Sequence, residues 1–260
     1  GSNISDRRLF STMHPHVSYF RTWTAFQRTA NMTTPSAPNS PQDPNERIDA
    51  IGDEHVGTSI DTPLRQDAFD MSDEDKIKAI EAKFRDIMDL LGLDLNDDSL
   101  AGTPHRVAKM YVKEIFGGLN PANHPDVKTF DNVYGYDHML VERNITLNST
   151  CEHHFLPIVG VAHVAYIPEG RVVGLSKLNR IVDHYAKRPQ VQERLSRQVL
   201  KALQSLLGTQ NVAVVMDAKH LCVSSRGIQD EGSSTVTASY GGLFETAPEV
   251  RAEFLQHIEG

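Results

Sequence analysis

The sequence predicts an α+β fold: an antiparallel sheet covered on one face by helices and preceded by a separate helical unit. Three observations predict it. Two amphipathic helical stretches come first, β-branched runs without helical periodicity occupy residues 139–168 and 211–242, and two further helical stretches lie between those runs. The resulting order, ββααββ after two leading helices, suits hairpins in one sheet better than alternating parallel units. Three segments follow: an N-terminal extension over 1–50, a helical unit over 51–120, and a sheet-bearing domain over 121–260.

The extension should not pack. Residues 33–46, "TTPSAPNSPQDPNE", carry four prolines and little to bury, which is a disordered composition. Residues 1–32 hold four arginines against Asp6 alone, so this part reads either as a transit-like leader or as sequence upstream of a start at Met32.

Each later element has its own local reason. "MSDEDKIKAIEAKFRDIMDLLG" opens with Ser72 as N-cap and Asp73, Glu74 and Asp75 in the first turn, where they complement the helix dipole. Ile77, Ile80, Phe84, Ile87, Met88 and Leu91 recur at helical spacing, and Gly92 stops the helix. "TPHRVAKMYVKEIFGG" predicts a second helix with Thr103 as N-cap, Pro104 at the first helical position and Gly117-Gly118 after the last turn. "MLVERNITLNS" and "LPIVGVAHVAYIP" predict two antiparallel strands flanking a "CEHH" turn. Helices are then expected from near Ser176 and from Pro189, the second carrying Val191, Leu195, Val199, Leu203 and Leu206 before Gly208. "NVAVVMDAKHLCV" and "SSTVTASYGG" form the last strand pair.

Composition excludes several classes. A net charge of −8 gives no overall basic footprint for nucleic acid, and the longest apolar runs fall far short of the ~20 residues that cross a bilayer. The two cysteines, Cys151 and Cys222, are too few for a secreted disulfide scaffold, so reduced thiols and a cytoplasmic location are expected.

Those cysteines each sit beside histidine. In "STCEHHF" the two-residue gap of Cys151-x-x-His154 lets a turn aim a thiolate and an imidazole at one cation, while Cys151 and His153 would share a face only if the strand ran on. Spacing alone leaves His153 and His154 open. His220-x-Cys222 in "KHLCVSSRG" lies in a predicted strand, which would turn both side chains into one pocket. A closed structural zinc would take Cys151, His154, His220 and Cys222; a catalytic zinc would take three groups and leave room for water. Five candidate groups for four positions leave an imidazole over, which favours chemistry. Nearby, "GLSKLNR" offers Ser176 at a helix start with Lys177 and Arg180 on one face, an arrangement suited to polyphosphate. Gln192 and Glu193 lie in the next helix and Arg226 follows the second cysteine. A carboxylate can accept from both N1–H and the 2-amino group of guanine, a donor pair adenine lacks.

"STCEHHF", "YIPEGRVVGLSKLNRIVDHYAKRPQVQERL", "HLCVSSRG" and "TPHRVAKMYVKEIFGGL" together resemble GTP cyclohydrolase I from about Thr62 to Gly260. A departure is confined to the loop "IQDEGSS" at 228–234. The resemblance implies the T-fold, assembled into a ring that is a decamer of two stacked pentamers. It implies zinc on Cys151, His154 and Cys222, with His153 and His220 freed for proton transfer. It further implies that Gln192 and Glu193 read guanine and that Lys177, Arg180 and Arg226, with Ser176 nearby, hold the triphosphate. Arg106 would reach the site from a neighbouring subunit. The implied reaction, opening folate and pterin synthesis, hydrolyses GTP to 7,8-dihydroneopterin triphosphate and formate. Which histidine serves which proton transfer stays open. Rival readings are a zinc-stabilised nucleotide-binding scaffold without turnover, which leaves His153 without a role, and another T-fold enzyme of pterins or deazapurines.

Overall fold

The protein is described by a computed structural model that covers residues 59–259, so the expectations for residues 1–50 lie outside the described residues. Helix α1 (Asp73–Leu90) begins as the sequence predicts: the Ser72 hydroxyl accepts from the Asp75 N–H at 3.1 Å, and Gly92 at φ +78° ends the run. Only Ile77 and Met88 of its apolar residues are buried, and Ile87, Leu90 and Leu91 stay exposed. Helix α2 (Thr103–Met110) starts one residue earlier than expected, with Gly102 as N-cap. Thr103 is therefore inside the helix, where its hydroxyl accepts from Arg106 Nη2 instead of capping. The helix widens into a π turn over Tyr111–Ile115, then tightens into a 3-10 turn at Gly117–Leu119.

After a short strand β1 (Thr129–Asp131), the chain forms β2 (Leu140–Cys151), β3 (Pro157–Tyr166), β4 (Arg171–Val173), α3 (Leu175–Ala186), β5 (Pro189–Gln190) and α4 (Gln192–Leu207). It then adds β6 (Val212–His220), a helical turn α5 (Leu221–Ser224), β7 (Thr235–Tyr240), α6 (Leu243–Thr246) and α7 (Pro248–Ile258). The main sheet has the order β5-β2-β3-β6-β7 and is antiparallel except where β5 runs parallel to the end of β2. β1 and β4 pair separately.

Two local expectations change. Pro189 does not open a helix: it lies in β5 opposite Thr150, and α4 begins at Gln192 because the extended Val191 serves as its N-cap. The strand expected through His220-x-Cys222 ends at His220, and Cys222 stands on the helical turn α5. The C-terminal helices α6 and α7 went unforeseen.

Alternation along the strands divides the core in two. Leu147, Ile158, Ala162, Val164, Val214, Met216 and Ala218 face α3 and α4 and form the larger cluster with Leu178, Val182, Leu195, Val199 and Leu203. The opposite face buries Ala165, Ala213 and Val215 against Phe244 and Phe254 of the C-terminal helices.

Register fixes which ends of the elements meet. Thr150 pairs with Pro157 and Ile158 with His220, so Cys151, His220 and the residues after them share one end of the sheet. Leu140, Tyr166 and Val212 share the other. Eight residues of β3 separate the two ends, ~26 Å of extended chain. Helix α3 runs back along the sheet toward the Cys151 end, where β5 docks beside β2.

Candidate active site and metal centre

The turn after β2 is closed by main-chain bonds. Phe155 N–H donates to Cys151 O at 2.9 Å, and Cys151 N–H to Leu156 O at 2.8 Å. Phe155 adopts φ +52°, a left-handed conformation that costs a non-glycine residue roughly 1–2 kcal/mol. Its ring is held from outside by the helical unit, 5.1 Å from Phe116 and 6.5 Å from Tyr111 between centroids.

From this turn and from α5, the ligand atoms of Cys151, His154 and Cys222 come within 4.8 Å of one another. Around a tetrahedral zinc such atoms stand roughly 3.3–3.8 Å apart, so small side-chain rotations complete the geometry. Two sulfurs and one imidazole suit zinc better than a hard cation. Burial, and then the neighbouring Cys151, push the Cys222 thiol above its ordinary range. A divalent cation offsets that cost by holding both sulfurs as thiolates. The residues present therefore fit the metal, in the C-x-x-H register.

The remaining imidazoles flank this group. His153 Nδ1 lies 3.7 Å from the Cys151 sulfur, and its Nε2 lies 3.9 Å from Glu152 Oε1. His220 Nε2 lies 2.8 Å from Gln192 Oε1. Burial lowers the His220 pKa, with the Glu193 carboxylate acting in the opposite sense. Glu193 is exposed in the first turn of α4, and Arg226 is close enough to Cys222 to act on its thiol.

Sequence reasoning missed the pair that ties these elements together. Arg194, whose side chain is 3% exposed, grips Glu152 through both Nη1 and Nη2, while its Nε donates to Ser59 O at 2.8 Å. The Glu152 N–H also donates to Gln190 O at 3.0 Å. The turn that carries the candidate ligands is thus fastened to β5 by main chain and to the start of α4 by side chain. A 42-residue separation leaves no local pattern, and the one available signal was an acid inside "CEHH" with no assigned ligand role.

Ser176, Lys177, Arg180 and Arg106 lie apart from this group. Ser176 and Lys177 occupy the first turn of α3, about ten residues or ~15 Å of helix away from its metal-side end. Lys177 Nζ donates to Asp126 O at 2.9 Å. Arg180 is exposed and borders a cleft with Lys113, Asp183 and Lys187. Arg106 is exposed on α2, its Nη2 donating to Ser99 O at 3.0 Å and to the Thr103 hydroxyl at 3.1 Å.

A soft-ligand group able to hold a metal, with two more imidazoles beside it at one end of a helix-covered antiparallel sheet, is the arrangement of an α+β enzyme with a candidate metal centre. Residues 80–259 match the sequence model of GTP cyclohydrolase I. The chain belongs to the GTP cyclohydrolase I family, which carries the T-fold. It is 61% identical over 212 residues to GTP cyclohydrolase 1 of Flavobacterium johnsoniae, covering 82% of this chain and 95% of the relative. The same-named protein of Aeromonas hydrophila is 57% identical over 200 residues, 77% of this chain and 91% of its own. That of Salmonella arizonae is 53% identical over 208 residues, 80% and 94% respectively. Among the described residues no helix is long and apolar enough to cross a membrane.

Proposed function

We infer that the protein hydrolyses GTP to 7,8-dihydroneopterin triphosphate and formate, with zinc on Cys151, His154 and Cys222. The observation that carries this reading is the clustering of those three groups with His153, His220 and Glu193 at one end of the sheet. When bound, zinc supplies the Lewis acidity that makes water a nucleophile near neutral pH. Glu193 accepts from N1–H and the 2-amino group of guanine, at a helix start whose unpaired N–H groups include that of Gln192. His153 and His220 move protons during opening of the five-membered ring, loss of formate, and reclosure after the ribose rearranges.

Arg226 meets the triphosphate from the same chain. Ser176, Lys177 and Arg180, exposed or turned to other partners at the far reach of α3, come from a second copy, and Arg106 from a neighbouring copy as well. A homo-oligomer, a decamer of two pentamers, supplies these contacts. Its support includes exposed Ile87, Leu90 and Leu91 on α1 and the edge strand β7, where Val236 is exposed.

Incubating the purified protein with GTP should release formate in step with a pterin that fluoresces after oxidation. Bound GTP without formate would leave the scaffold reading in its place, and formate without pterin would mean that ring opening alone occurs.

A further inference from the structure

Gln192 has a side chain with no uncommitted polar atom. It is 1% exposed, and its Nε2 lies 3.1 Å from Met216 O, 2.8 Å from Thr235 O and 3.2 Å from Thr237 Oγ1. Two of those partners are main-chain carbonyls, which only accept, so the amide cannot be flipped: its NH2 end must face β6 and β7. The oxygen is then compelled toward His220 Nε2, 2.8 Å away. An amide oxygen also only accepts, so His220 Nε2 must carry a hydrogen. In the neutral ring, Nδ1 is then the nitrogen with the lone pair.

We propose that Gln192 is a positioning residue that holds His220 as its Nε2–H tautomer and leaves Nδ1 as the nitrogen that exchanges protons with the substrate. This rests on His220 having the role given above, and it deepens that reading by naming the atom. It also changes the work expected of Gln192. The side chain is spent on two strands and an imidazole, which leaves only its main-chain N–H for guanine. The bridge runs from the first residue of α4 to the sheet, so it is as rigid as the helix–sheet contact itself. The other tautomer could be met by the Gln192 side chain only if the amide flipped, which would break the hydrogen bonds its NH2 group donates to β6 and β7.

The test is a double-mutant cycle with a spectroscopic arm. Gln192→Met keeps length and volume but removes every bond. It should lower kcat by about 10²-fold, the scale of a misoriented acid–base group, with the KM for GTP changed less than about threefold. In a His220→Ala background the same change should alter kcat by less than about twofold, because the residue acts through His220. Equal losses in both backgrounds, or a raised KM at unchanged kcat, would overturn the proposal in favour of direct substrate contact.

Solid-state 15N spectra of histidine-labelled protein, assigned by difference with His220→Ala, should show Nε2 protonated and Nδ1 bare. The opposite pattern overturns the idea whatever the kinetics. The spectra need no turnover, so an inactive wild type would sink the proposed reaction while leaving the tautomer to be read directly.

Discussion

Cys151 ends a strand and closes a turn, and in the proposed site it would be a zinc ligand; substitution can separate ligation from chemistry among the residues around it. Cys151→Ser or Cys222→Ser should lose zinc, measured by elemental analysis, together with activity. His153→Ala should keep the metal and lose turnover by about 10²-fold or more, the usual scale for a general acid or base. Loss of zinc from His153→Ala would exchange the roles of His153 and His154. Arg194→Ala tests the fastening of the turn: removing one partner of a largely buried ion pair costs about 3–5 kcal/mol. It should therefore lower the thermal midpoint and speed zinc transfer to a chelator. At this scale local spacing marked Cys151, His153 and His154 as candidates but left the two histidines open, and only the family resemblance picked Cys151-x-x-His154, the pair that lies with Cys222 in the structure. The sequence was silent on Arg194 and on the Gln192–His220 bond, because a helical Arg or Gln reads as solvent-facing until the fold brings a distant strand or turn against it.

Among the elements, helical spacing and end signals gave α1 to α4 and β-branched runs the long strands, while α6 and α7 went unforeseen. What these signals could not give was the two-residue strand at Pro189, which exists only because β2 offers an edge there, or the end of β6 at His220, which a helical turn overrides. Gly118 shows an element contact that composition hides. Its N–H donates to Lys187 O at 3.0 Å, and a Cβ added there would lie 2.0 Å from His184 O. Gly118→Ala should thus push the helical unit off the end of α3 and cost about 1–3 kcal/mol in chemical denaturation.

The same contact brings in His184, buried against Arg188, whose Nη2 lies 2.8 Å from its Nε2, with His124 packed on its ring. Burial, then the Arg188 charge, hold its pKa down to about 4. A folded-state value below the unfolded one contributes stability that is complete above about pH 6.5 and is lost as pH falls toward 4. His184→Gln should flatten that part of a stability-against-pH curve.

For the molecule as a whole, the long elements of the order ββααββ and the helices on one face of the sheet were readable before any coordinates, whereas the short β4 and β5 between them and the C-terminal helices on the opposite face were not. Assembly is an expectation of family resemblance alone, because one chain's pattern does not say which surfaces meet another copy. A hybrid experiment addresses it. Lys177→Ala and Cys222→Ser chains, each inactive, should regain part of the wild-type rate when co-expressed, through interfaces that join an intact metal group to an intact Lys177. Hybrids no more active than the parents would assign Lys177 to its own chain's surface.

The length of β3 between the metal end and the Tyr166 end has a kinetic consequence. If the reacting end and the phosphate-holding residues belong to different copies, a newly folded chain has zinc affinity but no competence, and catalysis appears only after collision. Refolding from denaturant would then show activity trailing the recovery of secondary structure. The lag should shorten as protein concentration rises, whereas a site complete within one chain would recover with first-order kinetics at every dilution.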